Sequence, residues 1–153
     1  MVTLRPARSA DAAWLLALRN EPAVRQASTT IRRVGRAAHA RWMARCMVPD
    51  SPRRCWLAVI EQGQRIGYAR WDRAGCQGGA VVSIAVAPGF RGCGAGRRML
   101  GMLWRQARRR GLCRLEANIR TGNIASLICF LKIGYRITGA TGEGVRLVRE
   151  VGK

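Results

Sequence analysis

Val86-Ala87-Pro88-Gly89-Phe90-Arg91-Gly92-Cys93-Gly94-Ala95-Gly96-Arg97 joins a run that reads as a buried strand to a run that reads as a helix, and this junction decides the fold. Upstream, Ala80 to Ala87 is a near-continuous stretch of small and branched apolar residues, as expected of a strand covered on both faces. Pro88-Gly89 ends it. Downstream, Gly94 to Arg110 sets Ala95, Met99, Leu100, Leu103 and Ala107 on one helical face, puts Arg98, Arg105, Arg108 and Arg109 elsewhere, and closes at Gly111. The glycines between them let backbone N–H groups come close to a ligand, and successive amides at a helix N-terminus form an anion cradle. Arg91 and Arg97 add guanidinium groups suited to phosphate oxygens. Two other phosphate loops are excluded. A P-loop would follow its last glycine with Lys and Ser/Thr, where this chain has Arg97 and Arg98. A dinucleotide loop would place Gly or Ala where Arg97 stands.

Outward from the junction, Leu112 to Ile119 reads as a strand, Asn123 to Ile133 as a helix stopped by Gly134, and Tyr135 to Thr138 and Val145 to Val151 as two final strands. Before it, Cys55 to Glu61 and Arg65 to Arg73 form a hairpin about Gln62-Gly63-Gln64, and a glycine-rich loop from Gly75 to Gly79 leads into the buried strand. The first third holds a short strand at Thr3 to Pro6, a helix at Ser9 to Asn20 interrupted by Pro22, and a helix from Val34 to Met47 with His39, Trp42, Met43, Cys46 and Met47 at helical spacing. The order β-α-α-β-β-β-α-β-α-β-β predicts an α/β chain, a mixed twisted sheet of six to seven strands flanked by about four helices. At 153 residues with 48% hydrophobic content, residues 1–153 are expected to form one domain.

The longest apolar runs fall far short of the roughly 20 residues that span a bilayer. Ser9 and Asp11 open an amphipathic helix where a secretory signal would be apolar, so no membrane association and a cytoplasmic location are expected. Six cysteines (Cys46, Cys55, Cys76, Cys93, Cys113, Cys129) form no C-x-x-C pair, and the single histidine, His39, has no cysteine at ligand spacing, so neither zinc nor a disulfide framework is expected. The net charge of +20 is almost wholly arginine, with lysine only at Lys132 and Lys153. Such a surface favours polyanions, but the arginines are spread through every segment rather than gathered on one arm, so nucleic acid is not the expected partner.

Arg91-Gly92-Cys93-Gly94-Ala95-Gly96 matches the pattern Arg/Gln-x-x-Gly-x-Gly/Ala of the GNAT superfamily of N-acetyltransferases, including the preceding strand and its Val-Ala-Pro. A second segment resembles the same family. Asn123-Ile124-Ala125-Ser126 runs into Phe130-Leu131-Lys132-Ile133-Gly134-Tyr135 at the spacing of N-x-x-S-x-x-x-Y-x-K-x-G-F. The resemblance implies the GNAT acyl-CoA N-acyltransferase fold, acetyl-CoA as cosubstrate, and a cofactor lying in a splay between the strand ending near Val86 and the strand Leu112 to Ile119. It further implies that Ile84, Ala85 and Val86 meet the pantetheine arm. Arg91, Gly92, Cys93, Gly94, Ala95, Gly96 and Arg97 would hold the pyrophosphate, and Asn123, Ser126, Phe130 and Lys132 would complete the set. The sequence departs from the family at Phe130, where a tyrosine usually supplies the acid.

Attack of a neutral amine on a thioester needs a base, a donor to the developing oxyanion and an acid for the departing thiolate. Glu116, central in the strand beside the splay, is the first candidate base, although one of the many arginines could equally occupy it. His39 is the second, because its ordinary pKa lies near working pH. Tyr68, Ser126 or a water could serve as acid. On the acceptor side, Leu18-Arg19-Asn20-Glu21-Pro22 with Val24-Arg25, Ser28, Ile31, His39 and Trp42 loosely resembles sugar-nucleotide N-acetyltransferases. This implies a small, phosphorylated amine acceptor near Arg19, Arg25, Arg32 or Arg33, with a homodimer compatible. The alternatives are acetylation of a protein N-terminus, of the ribosomal-protein type, and a GNAT-like module that binds RNA or protein without catalysis.

Overall fold

A computed structural model describes residues 1–28, 30–73 and 78–152. Cys76, most of the loop at Gly75 to Gly79, and Lys153 therefore lie outside the described residues. Seven strands, β1 (Thr3–Pro6), β2 (Arg53–Val59), β3 (Arg65–Asp72), β4 (Gly79–Val86), β5 (Arg114–Arg120), β6 (Arg136–Thr141) and β7 (Gly144–Glu150), form one sheet in the order β1-β2-β3-β4-β5-β7-β6. Five helices accompany it: α1 (Ala12–Arg19), α2 (Pro22–Ala27), α3 (Arg36–Met47), α4 (Ala95–Arg109) and α5 (Ile124–Lys132). The mixed α/β architecture is the expected one, with one helix more than the sequence pattern suggests. Pro22 does not merely interrupt a helix. It starts α2 at a position where its missing N–H costs nothing, while the Glu21 side chain caps by accepting from the Val24 N–H at 3.2 Å.

Every neighbouring pair of strands is antiparallel except β4 and β5, whose parallel crossover is supplied by α4. Alternation along β2 to β4 divides the core between two faces. Trp56, Ala58, Ala80 and Val82 pack beneath Met99, Leu100 and Leu103 of α4. Leu57, Tyr68 and Ala85 pack against Leu15 and Leu18 of α1 and Met43 of α3. These central strands are thus covered on both sides, as their apolar continuity predicts. Among the described residues no helix is long and apolar enough to cross a membrane.

The helical layer is pinned to the sheet by one buried carboxylate. Asp11, 1% exposed, accepts two hydrogen bonds from the Arg5 guanidinium of β1 (2.8 Å each), one from Arg65 Nε of β3 (2.8 Å) and one from the Arg8 N–H (2.8 Å). The Arg5 pair above all, then Arg8 and Arg65, outweigh burial and hold the Asp11 carboxyl far below the ordinary carboxylate range. A lowered folded-state pKa stabilises the protein above the unfolded-state value, about 3.9, and that contribution is lost as pH falls below it. Asp11→Asn, which leaves two guanidiniums facing a neutral amide, is expected to cost about 3 kcal/mol at pH 7. Urea unfolding checks this, and the difference between wild type and variant should shrink between pH 4 and pH 2.

Candidate functional site

The site begins where β4 and β5 stop pairing. They are in register only at Gly79↔Arg114, Ala80↔Leu115 and Val81↔Glu116, whereas β4 continues against β3 to Val86 and β5 continues against β7 to Arg120. Each strand follows its antiparallel partner, and a fork opens between them. Just past β4, the Ala87 N–H donates to the Ile66 carbonyl of β3, so strand alternation turns the peptide groups of Ile84 and Val86 toward the open fork and that of Ala85 toward β3. Ile84 and Val86 therefore present backbone groups to the fork that no strand satisfies.

The fork opens into a cavity of about 620 Å³. At one end stands the N-terminus of α4. Gly94, its N-cap, has φ of 84° and Gly92 has φ of 76°, both in the left-handed region that glycine tolerates. Among the described residues no side chain caps α4, so the N–H groups of its first turn face the cavity without a capping partner. A Cβ at Gly96 would meet Cys129 Sγ at 3.3 Å and Ile84 Cδ1 at 3.5 Å, which keeps α4 close against β4 and α5.

Of the residues expected to contact a cofactor, Ile84, Ala85, Val86, Arg91, Gly92, Gly94, Ala95, Gly96, Arg97, Asn123, Ser126, Phe130 and Lys132 line this cavity. Cys93 does not, because its thiol turns back to the Phe90 carbonyl at 2.9 Å. Asn123 also has a structural duty, accepting from the Ser126 N–H at 3.4 Å to cap α5. Phe130 is buried edge-on against Tyr135, ring centroids 4.8 Å apart. Helix α2, which the sequence pattern does not predict, forms a further wall through Ala23, Val24 and Ala27, with Ser28 beside them. That wall is tied across the fork: Glu21 pairs with Arg91 (2.9 Å), which also donates to the Val86 carbonyl (2.8 Å), and Arg120 of β5 donates to the Ser28 carbonyl (3.4 Å).

A second chamber, about 190 Å³, adjoins the first. Helix α1 contributes Leu15 and Arg19, α3 His39 and Trp42, β3 Tyr68 and Arg70, and the segment before α3 contributes Val34. Arg19, Tyr68 and Arg70 border both cavities and so mark their junction. Asn20 clamps the roof by donating to the Val34 carbonyl (2.8 Å) and accepting from the Val34 N–H (2.7 Å). His39 is buried beside Trp42, and burial first, then Arg70, lower its pKa, so that a neutral imidazole faces the chamber. Burial raises the Tyr68 pKa, leaving its hydroxyl protonated.

Glu116, the first candidate base, stands apart from both cavities. It sits on the last β4–β5 rung, below the point where the strands part, with its carboxylate on Arg114 Nε at 3.1 Å. Arg70 went unnoticed in the sequence, although the i, i+2 spacing from Tyr68 places both on one strand face.

Comparisons with known proteins agree with this geometry. The family model described as acetyltransferase (GNAT) domain matches residues 1–136. The ribosomal protein bS18-alanine N-acetyltransferase of Haemophilus influenzae is 33% identical over 79 residues, which cover 52% of this chain and 53% of that protein, so the match spans about half the length of this curated relative. Among solved structures, spermidine N-acetyltransferase from Vibrio cholerae in complex with CoA and spermine superposes with a TM-score of 0.86 at 15% identity, covering 97% of this chain and 95% of that one. The phosphinothricin acetyltransferase of Sinorhizobium meliloti in complex with AcCoA gives 0.84 at 20%, covering 99% and 89%. Ribosomal-protein-alanine N-acetyltransferase from Brucella melitensis gives 0.82 at 24%, covering 97% and 99%.

His39 is the only histidine, so its imidazole signals in an NMR titration are unambiguous. It should titrate below the ordinary value of about 6.5, and Arg70→Gln should move the midpoint up by removing a neighbouring positive charge. A midpoint unchanged in the Arg70 variant would show that the two side chains do not share the chamber.

Proposed function

We propose, from the premise that this chain belongs to the GNAT acetyltransferases, that its residues form one catalytic domain whose fork holds acetyl-CoA and whose adjoining chamber holds a small primary amine. The observation that carries the reading is the uncapped N-terminus of α4 opening into the fork, beside the unpaired edge of β4. A pyrophosphate fits there, because unpartnered N–H groups and the guanidinium of Arg97 converge on one end of the cavity with the ammonium of Lys132 on its wall. The peptide group of Ile84 and the N–H of Val86, which no strand satisfies, suit an extended amide-bearing chain; the Val86 carbonyl is taken by Arg91. When bound, acetyl-CoA supplies an acetyl group already activated as a thioester.

The chain's own groups supply the proton transfers. His39, neutral and facing the chamber, takes a proton from the acceptor ammonium. A backbone N–H on the open edge of β4 is placed to donate to the developing oxyanion. Tyr68, protonated and at the junction of the two cavities, is the donor to the departing sulfur, in place of the hydroxyl that Phe130 lacks. This reading puts His39 before Glu116.

Of the four arginines associated with a sugar-nucleotide acceptor, Arg19 alone lines the chamber. Arg25 donates to the Asn20 and Ile31 carbonyls, and Arg32 and Arg33 are exposed. The chamber itself has room for the amine-bearing end of such a ligand only. The second reading, acetylation of a protein's N-terminal alanine, is supported by the relative from Haemophilus influenzae. It would call for an acidic peptide groove, and the chamber lining contains no carboxylate among the described residues.

Gly94→Glu puts a side chain and a negative charge where the α4 N–H groups converge, at a left-handed φ, and should abolish acetyl-CoA binding in calorimetry. Undiminished affinity would overturn the fork assignment. His39→Gln should preserve acetyl-CoA affinity and lower turnover by roughly 10²-fold near neutral pH, with a loss that shrinks toward pH 9.5 as more acceptor amine is already neutral. Glu116→Gln, measured in parallel by thiol release, should change turnover far less, and the reverse ranking would return the base to Glu116.

A further inference from the structure

We infer that the chamber recognises an anionic group on the acceptor, so that the amines acetylated are small ones carrying a carboxylate or a phosphorus oxyanion close to the amino group. The inference rests on the acetyl-transfer reading of the same site and adds the acceptor class to it.

The first ground is an incomplete guanidinium. Arg19 Nη2 donates to the Thr30 carbonyl at 3.2 Å, while Arg19 Nη1 is buried and has no hydrogen-bond partner among the described residues. A buried charged donor left unsatisfied means that the Arg19 charge is not compensated by the protein, and an oxyanion in the chamber that Arg19 lines would offset it. The second is Arg70, whose guanidinium lies over the Trp42 ring, 5.2 Å from its centroid, and so is held at the chamber wall by an aromatic face rather than by an acid. Among the described residues neither arginine is paired with a carboxylate. The third is the lining as a whole, two guanidiniums and one neutral imidazole with no acidic side chain. A planar guanidinium fork matches a carboxylate or phosphonate in two parallel hydrogen bonds, whereas a diamine would bring a second cation against Arg19 and Arg70. The fourth is size. A chamber of about 190 Å³ is smaller than the roughly 300 Å³ at which drug-sized pockets begin, so the anion and the amine must lie close together in the part of the acceptor that enters it.

The sole histidine provides a readout independent of turnover. Imidazole signals of His39 are followed by NMR while β-alanine, aminomethylphosphonate, β-alaninamide or putrescine is titrated into the full chain saturated with acetyl-CoA or, to prevent turnover, coenzyme A. β-Alanine or aminomethylphosphonate is expected to shift the signals saturably, with an affinity at least roughly tenfold above that of β-alaninamide, the scale of one charge-assisted hydrogen bond. Arg19→Gln should erase the preference. If that variant does not fold, Arg70→Gln carries the same expectation. Equal or tighter binding of β-alaninamide or putrescine overturns the inference, as does the absence of any shift with both anionic amines, or a preference that survives the arginine substitution. Thiol release with the same four amines separates the two readings. Selective binding without acetyl transfer sinks the transfer reading and leaves the anion site standing. Acetylation of β-alaninamide and putrescine as fast as of β-alanine sinks the anion site and leaves the transfer reading standing.

Discussion

The parting of β4 from β5 is the constraint on which the rest of the molecule depends. Two adjacent parallel strands that stay in register would satisfy one another's backbone and leave no place for an extended ligand. Here β4 is committed to β3 over Gly67 to Asp72, and β5 to β7 over its whole length, so the two central strands share only three rungs before diverging. The divergence releases the peptide groups of Ile84 and Val86. It also makes room for α4 to begin at the mouth of the fork, where Gly96 lies against Ile84 and Cys129 too closely for a larger residue to enter freely. One departure from regular pairing thereby produces both parts of the cradle, an unsatisfied strand edge and an unsatisfied helix end, and each provides what the other lacks: hydrogen bonds along a chain and charge complementarity at its tip.

The second organising feature is how few acids this arginine-rich chain has and where they are used. With eight Asp and Glu against 28 Lys and Arg, most guanidiniums must lie in solvent. Most of the acids that are engaged tie one element to another, Glu116 with Arg114 of its own strand being the exception. Asp11 ties the start of the helical layer to β1 and β3, Glu21 ties α2 to the loop before α4, and Glu116 and Glu150 pair within the wing formed by β5, β6 and β7. None faces the chamber beneath α1 and α3. The arginines that do face it, Arg19 and Arg70, are held there by a carbonyl and an aromatic ring, contacts that fix position without cancelling charge. The local field of the chamber is therefore positive, and burial first, then that field, keeps His39 neutral.

Sheet alternation then sorts the chemistry. Tyr68 and Arg70 share the strand face that α1 and α3 cover, so a hydroxyl and a guanidinium reach the junction of the two cavities from a strand that is fixed on both edges. Tyr68 thus stands on a rigid strand and His39 on α3 packed over it, whereas the α2 segment that walls the fork is short and tied by Glu21 to Arg91 and by Ser28 to Arg120.

The sequence by itself determined the order of the elements, the buried character of β4, the two faces of α4 and the glycine loop between them. Those properties are local: they follow from hydrophobic period, from proline and glycine at element ends, and from the backbone freedom that Gly92 and Gly94 need. It failed where the outcome depends on which partner a side chain or a strand finds, whether near in the chain or far. Pro22 reads as a break, and only the Glu21 side chain folding back on the Val24 N–H turns it into the start of α2. Glu116 reads as central beside the splay, but how many rungs β4 and β5 share is set by their pairing with β3 and β7, and that register leaves Glu116 below the fork on Arg114. Cys93 belongs to the loop by position, yet its thiol turns to the Phe90 carbonyl. The chamber itself was out of reach of any local pattern, because Arg19, His39 and Arg70 come from a helix, another helix and a strand that become neighbours only when both sheet faces are packed.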